Sequence, residues 1–312
     1  MNRITERKII IVTRKTRLEE LVAKYNTTEQ AKFYIEHLNA DFKDYQEEDK
    51  TYKKAVSLAI GSLEKIARLQ LLDRKYVPNF IFGKEDIVIT IGQDGLVANT
   101  LKYLEEQVLI GVNPDPRRWD GILLPFKAND LEQIVMDVLN NKRKIQDVTM
   151  AKAELNDGQS IYGVNDLFIG QKTHVSSRYG IRIDKKYELQ SSSGIIISTG
   201  LGSTGWFRSY ITGARVVNNI HQDIANPKNN NLSIPWDAEF LYYLVREPFP
   251  SKVTGASLVF GKVSTNNPLQ VTSNMPENGV IFSDGIESDF LEFNSGVTAV
   301  INIGENKGRL VV

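Results

Sequence analysis

The spacing of apolar residues changes near residue 150, and this change constrains the fold more than any other feature of the chain. Before it, short apolar runs alternate with stretches of helical spacing. Strands separated by helices predict a parallel α/β sheet. The predicted strands are Ile9 to Thr13, Asp86 to Ile91 and Val108 to Val112, and the predicted helices are Arg17 to Asn39, Tyr52 to Leu72, Val97 to Glu105 and Leu131 to Leu139.

After residue 150, short β-branched or alternating runs recur between Gly, Asn, Asp and Pro, which predicts an all-β half. The segment from Asn218 to Asp237 is rich in Asn and has no periodicity, so it is interpreted as a long mobile loop. The predicted strands are Asp166 to Ile169, Gly194 to Thr199, Phe240 to Arg246, Ser257 to Val263, Gly279 to Phe282 and Val297 to Ile303.

A chain of 312 residues exceeds what one compact core usually holds, so two domains are expected. We predict a Rossmann-like parallel α/β domain over residues 1–145 and a β-sandwich-like domain over residues 146–312. The last strand is a candidate to return to the N-terminal domain.

Composition excludes several classes of protein. Lys plus Arg equals Asp plus Glu at 38 each, so no net field attracts nucleic acid or an anionic membrane. The chain has no cysteine, and its three histidines are scattered, so no metal site held by the protein alone is predicted. The N-terminus shows neither a signal-peptide core nor a transit segment, and no apolar stretch reaches membrane-spanning length. A cytoplasmic protein is expected.

The first motif is Gly92-Gln-Asp-Gly95, which follows the strongest predicted strand and precedes a helix. Ligands of open α/β sheets bind at the carboxyl ends of strands, where helix N-termini present N–H groups to anions. Glycines there allow a phosphate to approach the main chain, and a carboxylate can orient a hydroxyl. On these four residues alone, an ordinary strand-to-helix turn is the commoner explanation.

The second motif, Gly202-Ser-Thr-Gly-Trp206, lies shortly after the apolar run of Ile195 to Ile197. Small hydroxyl-bearing residues followed by an aromatic ring suit a ribose and a flat base. A Ser/Gly-rich loop whose Trp enters the core is an equally good explanation.

The third motif is the pair Asn165-Asp166. An amide and a carboxylate side by side can grip two ribose hydroxyls. Taken in isolation, the pair is more commonly a turn.

The fourth feature is basic. Arg14, Lys15 and Arg17 follow one predicted strand, and Arg117 and Arg118 follow another, so both groups are candidates for the same crevice. Arg side chains suit the phosphates of a nucleotide, although a solvated loop is the commoner explanation for either group.

Taken in order, these motifs resemble those of the NAD kinases over nearly the whole chain from residue 8. That family pairs an α/β domain carrying Gly-Gly-Asp-Gly with a β-rich domain carrying an Asn-Glu or Asn-Asp pair and a Gly-Ser-Thr-Ala-Tyr-like loop. Ser283-Asp284-Gly285 also matches a late Asp-Gly of the family. The closer likeness is to the mitochondrial-type branch, through Lys15-Thr-Arg17, Gly111-Val-Asn-Pro-Asp-Pro116, Ser176-Ser-Arg178, Ser192-Ser-Gly194 and Arg246-Glu-Pro248.

The resemblance implies an Mg²⁺-dependent transfer of phosphate from ATP to the 2′-hydroxyl of the adenosine ribose of NAD, which gives NADP. Asp94 would be the general base, and Gly92 and Gly95 would let the phosphates approach. Self-association as a homo-oligomer, a dimer or a tetramer, is implied as well. The residues implied to bind nucleotide are Asn165 and Asp166 at the ribose, Thr204, Gly205, Trp206 and Ser209 around adenine, and Arg17.

Two residues depart from the family pattern: Gln93 replaces the second glycine, and Leu96 replaces the Thr that usually follows. If position 93 requires a positive φ, a side chain there costs about 1–2 kcal/mol. If the glycine instead makes room for a phosphate oxygen, Gln93 obstructs that space. Two alternatives therefore stand beside a NAD kinase: a kinase of another hydroxyl, on a sugar or a lipid, and an NAD-binding relative with impaired catalysis.

Overall fold

The computed structural model describes residues 3–222, 234–286 and 289–312. The chain divides into two compact units, one of Met1–Gln146 with Arg309–Val312 and one of Asp147–Gly308. The final strand therefore begins in the second unit, and its last residues belong to the first.

The first unit is built on a parallel sheet. Its strands are β1 (Lys8–Thr13), β2 (Arg68–Asp73), β3 (Ile87–Ile91) and β4 (Val108–Val112), in the order β2-β1-β3-β4. Arg309 and Leu310 pair in parallel with Val108 and Leu109 of β4. Residues 9–12 of β1 and 87–91 of β3 are buried throughout, as expected for strands covered on both faces.

Five α-helices accompany this sheet, and three of the predicted helices are wrong in extent. The one predicted from Val97 to Glu105 runs from Asp94 to Leu101. The predicted helix from Arg17 to Asn39 is broken at Asn26, which has a φ of 69°, and Thr27 caps a new helix. The predicted helix from Tyr52 to Leu72 ends too late, because residues 68–73 pair with β1 as strand β2. The helices are α1 (Arg17–Tyr25), α2 (Thr28–His37), α3 (Phe42–Leu63), α4 (Asp94–Leu101) and α5 (Leu131–Leu139).

The second unit contains two antiparallel sheets. One has the order β16-β13-β8-β9, with β5 pairing β16 and β6, and the other has the order β12-β11-β10-β7-β14-β15. Both contribute to a single core, in which Tyr179 and Ile301 of the first sheet join Ile197 and Tyr243 of the second. The strands are β5 (Ile145–Leu155), β6 (Ser160–Gly163), β7 (Asp166–Gln171), β8 (Ser177–Ile183), β9 (Lys186–Ser192), β10 (Ile195–Ser198), β11 (Leu241–Val245), β12 (Phe260–Val263), β13 (Leu269–Ser273), β14 (Gly279–Ser283), β15 (Phe290–Glu292) and β16 (Thr298–Val311).

This unit also contains a helix, α6 (Trp206–Gln222), which the all-β prediction missed. Its residues Phe207, Tyr210 and Ile211 pack on Ile196 and Leu244 of the second sheet. The long loop predicted from Asn218 to Asp237 is therefore wrong over residues 218–222, and residues 223–233 lie outside the described residues. In the described part of the chain, no helix is long and apolar enough to cross a membrane.

Candidate active site

The loop Gly92–Gly95 joins β3 to α4 at the carboxyl edge of the parallel sheet. The Gly92 N–H donates to the carbonyl of Val112 at 3.2 Å, which ties this loop to the end of β4. A Cβ on Gly92 would lie 2.8 Å from Cδ2 of Leu96, whereas a Cβ on Gly95 would meet nothing within 4 Å. The first N–H groups of an α-helix have no intrahelical partner, so the start of α4 can face an anion.

Gln93 is the N-cap of α4 and has φ −113° and ψ 165°. This is extended backbone that any residue adopts, so Gln93 carries none of the cost that a positive φ would impose. The side chain is half-buried and makes no capping hydrogen bond to α4. Gln93 therefore causes none of the backbone strain that was expected if position 93 required a positive φ.

Asp94 is the first residue of α4 and is half-buried. Its Oδ1 accepts a hydrogen bond from the Leu123 N–H at 2.8 Å. Leu123 comes this close because position 111 is glycine: a Cβ there would lie 2.0 Å from the Leu123 carbonyl oxygen. Oδ2 of Asp94 has no hydrogen-bond partner in the described residues, which leaves one carboxylate oxygen in place to accept a proton.

The basic segment after β1 lies at the same edge of the sheet. The Tyr52 hydroxyl accepts from the Arg14 N–H at 2.8 Å and donates to the Ile91 carbonyl at 3.1 Å, so it joins the ends of β1 and β3. Burial raises the pKa of this hydroxyl to about 12, so it remains protonated. The basic residues that follow β1 are thereby held beside the loop that carries Asp94.

Arg17 and Arg118 meet at one carboxylate of α3. Arg118 donates to Asp44 at 2.6 Å and Arg17 donates to it at 2.7 Å, and these hydrogen bonds lower the pKa of Asp44 to about 2. Arg17 and Arg14 also donate to Glu48. Burial acts to raise the pKa of Glu48, but these hydrogen bonds and charges outweigh it and lower that pKa. One residue of each basic group, Arg17 and Arg118, thus meets at Asp44, and the guanidinium of Arg17 is engaged by acidic side chains.

In the second unit, Asp284 organises the turn that carries Asn165 and Asp166. Its carboxylate accepts from the N–H groups of residues 164, 165 and 166, at 3.1, 2.6 and 3.3 Å. Asp284 has a φ of 53°, and its own N–H donates to the Asp166 carbonyl at 3.1 Å. A carboxylate held by several N–H groups is a strong anchor, so the conformation of the Asn-Asp pair depends on a residue far away in sequence.

Asp166 itself is only 8% exposed. Burial, followed by repulsion from the Asp284 charge, raises its pKa to about 7. Near neutral pH this side chain is therefore divided between a carboxylate, which only accepts hydrogen bonds, and a carboxylic acid, which can also donate one.

The Gly202–Trp206 loop packs directly on Asn165. The Thr199 hydroxyl donates to the Val164 carbonyl at 2.6 Å and accepts from the Gly202 N–H at 3.1 Å. A Cβ on Gly202 would lie 1.9 Å from the carbonyl oxygen of Asn165. The second and third sequence motifs therefore form one continuous surface, and only glycine at position 202 permits the contact.

The residues predicted around adenine differ in exposure. Thr204, Gly205 and Ser209 are exposed, whereas Trp206 is half-buried. The Trp206 ring stacks on Phe168 with 5.7 Å between ring centroids, and the Arg246 guanidinium lies 5.2 Å from its centroid. Thr204 and Gly205 are thus open to a ligand, and the ring of Trp206 is held by its neighbours.

Within the described ranges, no group of three or more His, Asp or Glu side chains is arranged to hold a metal ion. Mg²⁺ at nucleotide sites is usually held by one or two carboxylates together with the phosphates. The single carboxylate Asp94 near the start of α4 fits a metal ion that arrives with a nucleotide.

No protein-family model matches the sequence. NAD kinase 2 of Geobacillus kaustophilus is 24% identical over 132 residues, which cover 41% of this chain and 49% of that protein. Human mitochondrial NAD kinase 2 is 23% identical over 293 residues, which cover 77% of this chain and 66% of that protein. The chain thus spans between about half and two thirds of the length of these curated relatives.

Two solved structures have the same fold. The crystal structure of an NAD kinase from Archaeoglobus fulgidus in complex with ATP has a TM-score of 0.58 at 15% identity, covering 98% of this chain and 93% of that one. The crystal structure of yeast NADH kinase with NADH has a TM-score of 0.59 at 13% identity, covering 99% of this chain and 84% of that one. The sequence is thus similar to NAD kinases at 23–24% identity, and the fold is shared with these two kinases. The predicted fold class, a parallel α/β unit combined with an antiparallel β unit, is confirmed.

The predicted site residues fall into one cluster in each unit. Gly92, Asp94 and Gly95 lie on one loop, at the same sheet edge as the segment of Arg17. In the other unit, the 202–206 loop contacts Asn165, which directly precedes Asp166. Sequence reasoning missed the Leu123 N–H that fixes Asp94 and the Thr199 hydroxyl that joins the two loops. A main-chain N–H carries no sequence signal. The glycine at position 111 is the one sequence feature that indicates the close approach of Leu123.

Proposed function

We propose that this protein is a NAD kinase, which transfers the γ-phosphoryl group of ATP to the 2′-hydroxyl of the adenosine ribose of NAD. The observation that carries the proposal is the Asp94 carboxylate, fixed through one oxygen at the N-terminus of α4, in the loop between Gly92 and Gly95. Phosphoryl transfer depends mainly on positioning and charge stabilisation, so a kinase needs an oriented carboxylate beside N–H donors. The fold shared with an ATP-bound NAD kinase and an NADH-bound NADH kinase supports this assignment.

In this proposal, Asp94 accepts the proton of the 2′-hydroxyl on Oδ2 while the Leu123 N–H holds Oδ1. Gly92 and Gly95 let the ATP phosphates approach the start of α4, where Gly95 faces open space. Asp94 would hold an Mg²⁺ ion that is bound together with ATP, and that ion would supply positive charge to the phosphates. Arg17 would contribute positive charge, moderated by Asp44 and Glu48.

The second cluster would bind the acceptor. Asn165 and Asp166 would hold ribose hydroxyls, and a pKa of about 7 lets Asp166 either donate or accept a hydrogen bond near neutral pH. The residues proposed to surround adenine are Thr204, Gly205, Trp206 and Ser209. A homo-oligomer (dimer or tetramer) and a cytoplasmic location remain part of this proposal.

The test is an assay of purified protein with NAD, ATP and Mg²⁺, in which NADP is followed with an NADP-specific dehydrogenase. We expect Asp94→Asn to lower turnover by about 10²–10⁴-fold, the usual contribution of a general base. The Asn side chain keeps an oxygen for the Leu123 N–H, so the melting temperature should stay close to that of the wild type. Asp130→Asn, which changes an exposed Asp just before another helix of the same unit, is the matched control.

Equal turnover in Asp94→Asn and the wild type would remove Asp94 from the mechanism. If the wild-type protein binds NAD by calorimetry but forms no NADP, the proposal is wrong. The alternatives would then be a kinase of another hydroxyl or a binding protein that has lost catalysis.

A further inference from the structure

A cavity of about 320 Å³ lies in the second unit, beside the second sheet and the start of α6. Its walls come from β7, β14 and β15, from the residues just after β7 and from Trp206. This volume is at the small end of the range for ligand pockets, so it has room for one ring system with one charged group. Of the residues assigned above to nucleotide binding, only Trp206 lines it among the described residues.

The floor of the cavity is a row of aromatic rings. Phe168 stacks on Trp206 at 5.7 Å and on Phe282 at 4.9 Å between ring centroids, with interplanar angles of 22° and 30°. Phe168 is 5% exposed and is held in place, whereas Trp206, Phe282 and Phe290 are half-buried. Such a floor provides faces on which a planar ring can stack.

The rim of the cavity is cationic. Arg246 lies over the Trp206 ring at 5.2 Å, and Lys172 lies over the Phe290 ring at 4.7 Å. His174 also lines the cavity, and none of the twelve described lining residues is Asp or Glu. Glu247 lies 3.7 Å from Arg246 but is largely exposed, where water weakens the pair. The cavity is therefore positive in a chain whose net charge is zero.

We propose that this cavity binds a small aromatic anion of the nucleoside monophosphate class. The base would pack against the half-buried rings of Trp206, Phe282 and Phe290 that line the cavity, and the phosphate would lie between Arg246 and Lys172. Aromatic and cationic groups together select a ligand that carries both a ring and a negative charge. A ring alone would leave the cationic groups without a partner, and an anion alone would leave the aromatic rings without one. The proposal does not depend on the kinase activity proposed above.

The test is calorimetric titration of the full-length protein with AMP, with adenosine and inorganic phosphate as separate probes. We expect AMP to bind more tightly than either probe. Arg246→Gln should weaken AMP binding by about tenfold or more, as the loss of a charge-assisted hydrogen bond predicts. Lys172→Gln should weaken it by several-fold, and the exposed position of this residue makes a large effect on folding unexpected.

Two controls separate this cavity from other nucleotide sites. Lys262→Gln removes an exposed cation that lies 4.2 Å from the Phe240 ring, outside the cavity, and should leave AMP binding within twofold. Asp166→Asn alters the proposed acceptor cluster, so it should weaken AMP binding as much as the cavity variants do only if AMP binds at that cluster instead of in the cavity. The proposal is overturned if the wild type does not bind AMP at millimolar concentration. It is equally overturned if Arg246→Gln and Lys172→Gln bind AMP as the wild type does, or if Asp166→Asn weakens binding as much as they do.

Discussion

Replacing Asp166 with Asn should make the second unit more stable at alkaline pH than the wild type. Asp166 is buried close to Asp284, and burial together with that charge raises its pKa from 3.8 to about 7. The substitution keeps the size of the side chain and removes its ability to ionise. It therefore isolates the free energy that the folded chain loses when this carboxyl becomes charged.

The sign and size follow from proton linkage. A pKa that is higher in the folded chain stabilises the fold below the unfolded pKa, and this stabilisation is lost as pH rises through the folded pKa. Between pH 5 and pH 8, the wild type should lose about 2–3 kcal/mol of unfolding free energy through this group, at about 1.4 kcal/mol for each pH unit up to the folded pKa of about 7. Asp166→Asn should not show this loss. For a unit of this size, the gap in melting temperature between variant and wild type should widen by about 5–10 °C.

The assay is thermal unfolding of both proteins at intervals from pH 5 to pH 9, at constant ionic strength. The diagnostic quantity is the change with pH in the difference in melting temperature between variant and wild type. Replacing the carboxyl by an amide shifts that difference by an amount that does not depend on pH. Asp157→Asn is the matched control: it is exposed, and hydrogen bonds from Gln159 lower its pKa, so its gap should be constant over this range. A gap for Asp166→Asn that does not change with pH would refute the assignment of a raised pKa to this residue.

The close approach of the Gly202–Trp206 loop to Asn165 predicts that Gly202→Ala lowers the melting temperature by about 6–12 °C, since overpacking against the rigid carbonyl of Asn165 costs about 3 kcal/mol or more. Gly213→Ala, at an open position in α6, should instead be neutral or stabilising by up to about 1 kcal/mol, and equal effects of the two changes in thermal unfolding would contradict the packing argument. Because Gln93 already has an extended backbone, Gln93→Gly should relieve no strain and leave the melting temperature unchanged or slightly lower. A rise of more than about 2 °C would show that this position is strained.

The elements that sequence predicted well are those whose own residues suffice to define them. The run from Val108 to Val112 and the amphipathic stretch from Leu131 to Leu139 appear as β4 and α5 with those bounds. Both carry a clear apolar pattern, and burial of that pattern is the main force that forms them.

The elements that were missed depend on partners elsewhere in the chain. Residues 68–73 include Arg, Gln and Asp and become a strand only by pairing in parallel with β1. Helix α6 follows a loop of small polar residues and is stabilised by packing of Phe207 on the second sheet. Local propensity is a weak guide wherever such tertiary contacts decide the conformation.

The sequence by itself determined the class of fold, the glycine-rich loops and the residue types present for nucleotide chemistry, because apolar periodicity and the resemblance to a family reside in the order of residues. Only the tertiary structure placed the Asp284 carboxylate on the turn of Asn165, and only it fixed Asp94 through the Leu123 N–H. The tertiary structure also raises the pKa of Asp166 by burying it near Asp284, and it places Arg17 and Arg118 in hydrogen-bond contact with Asp44. These properties depend on burial and on distances between residues far apart in the chain, and a main-chain N–H is the same group at every position that is not proline.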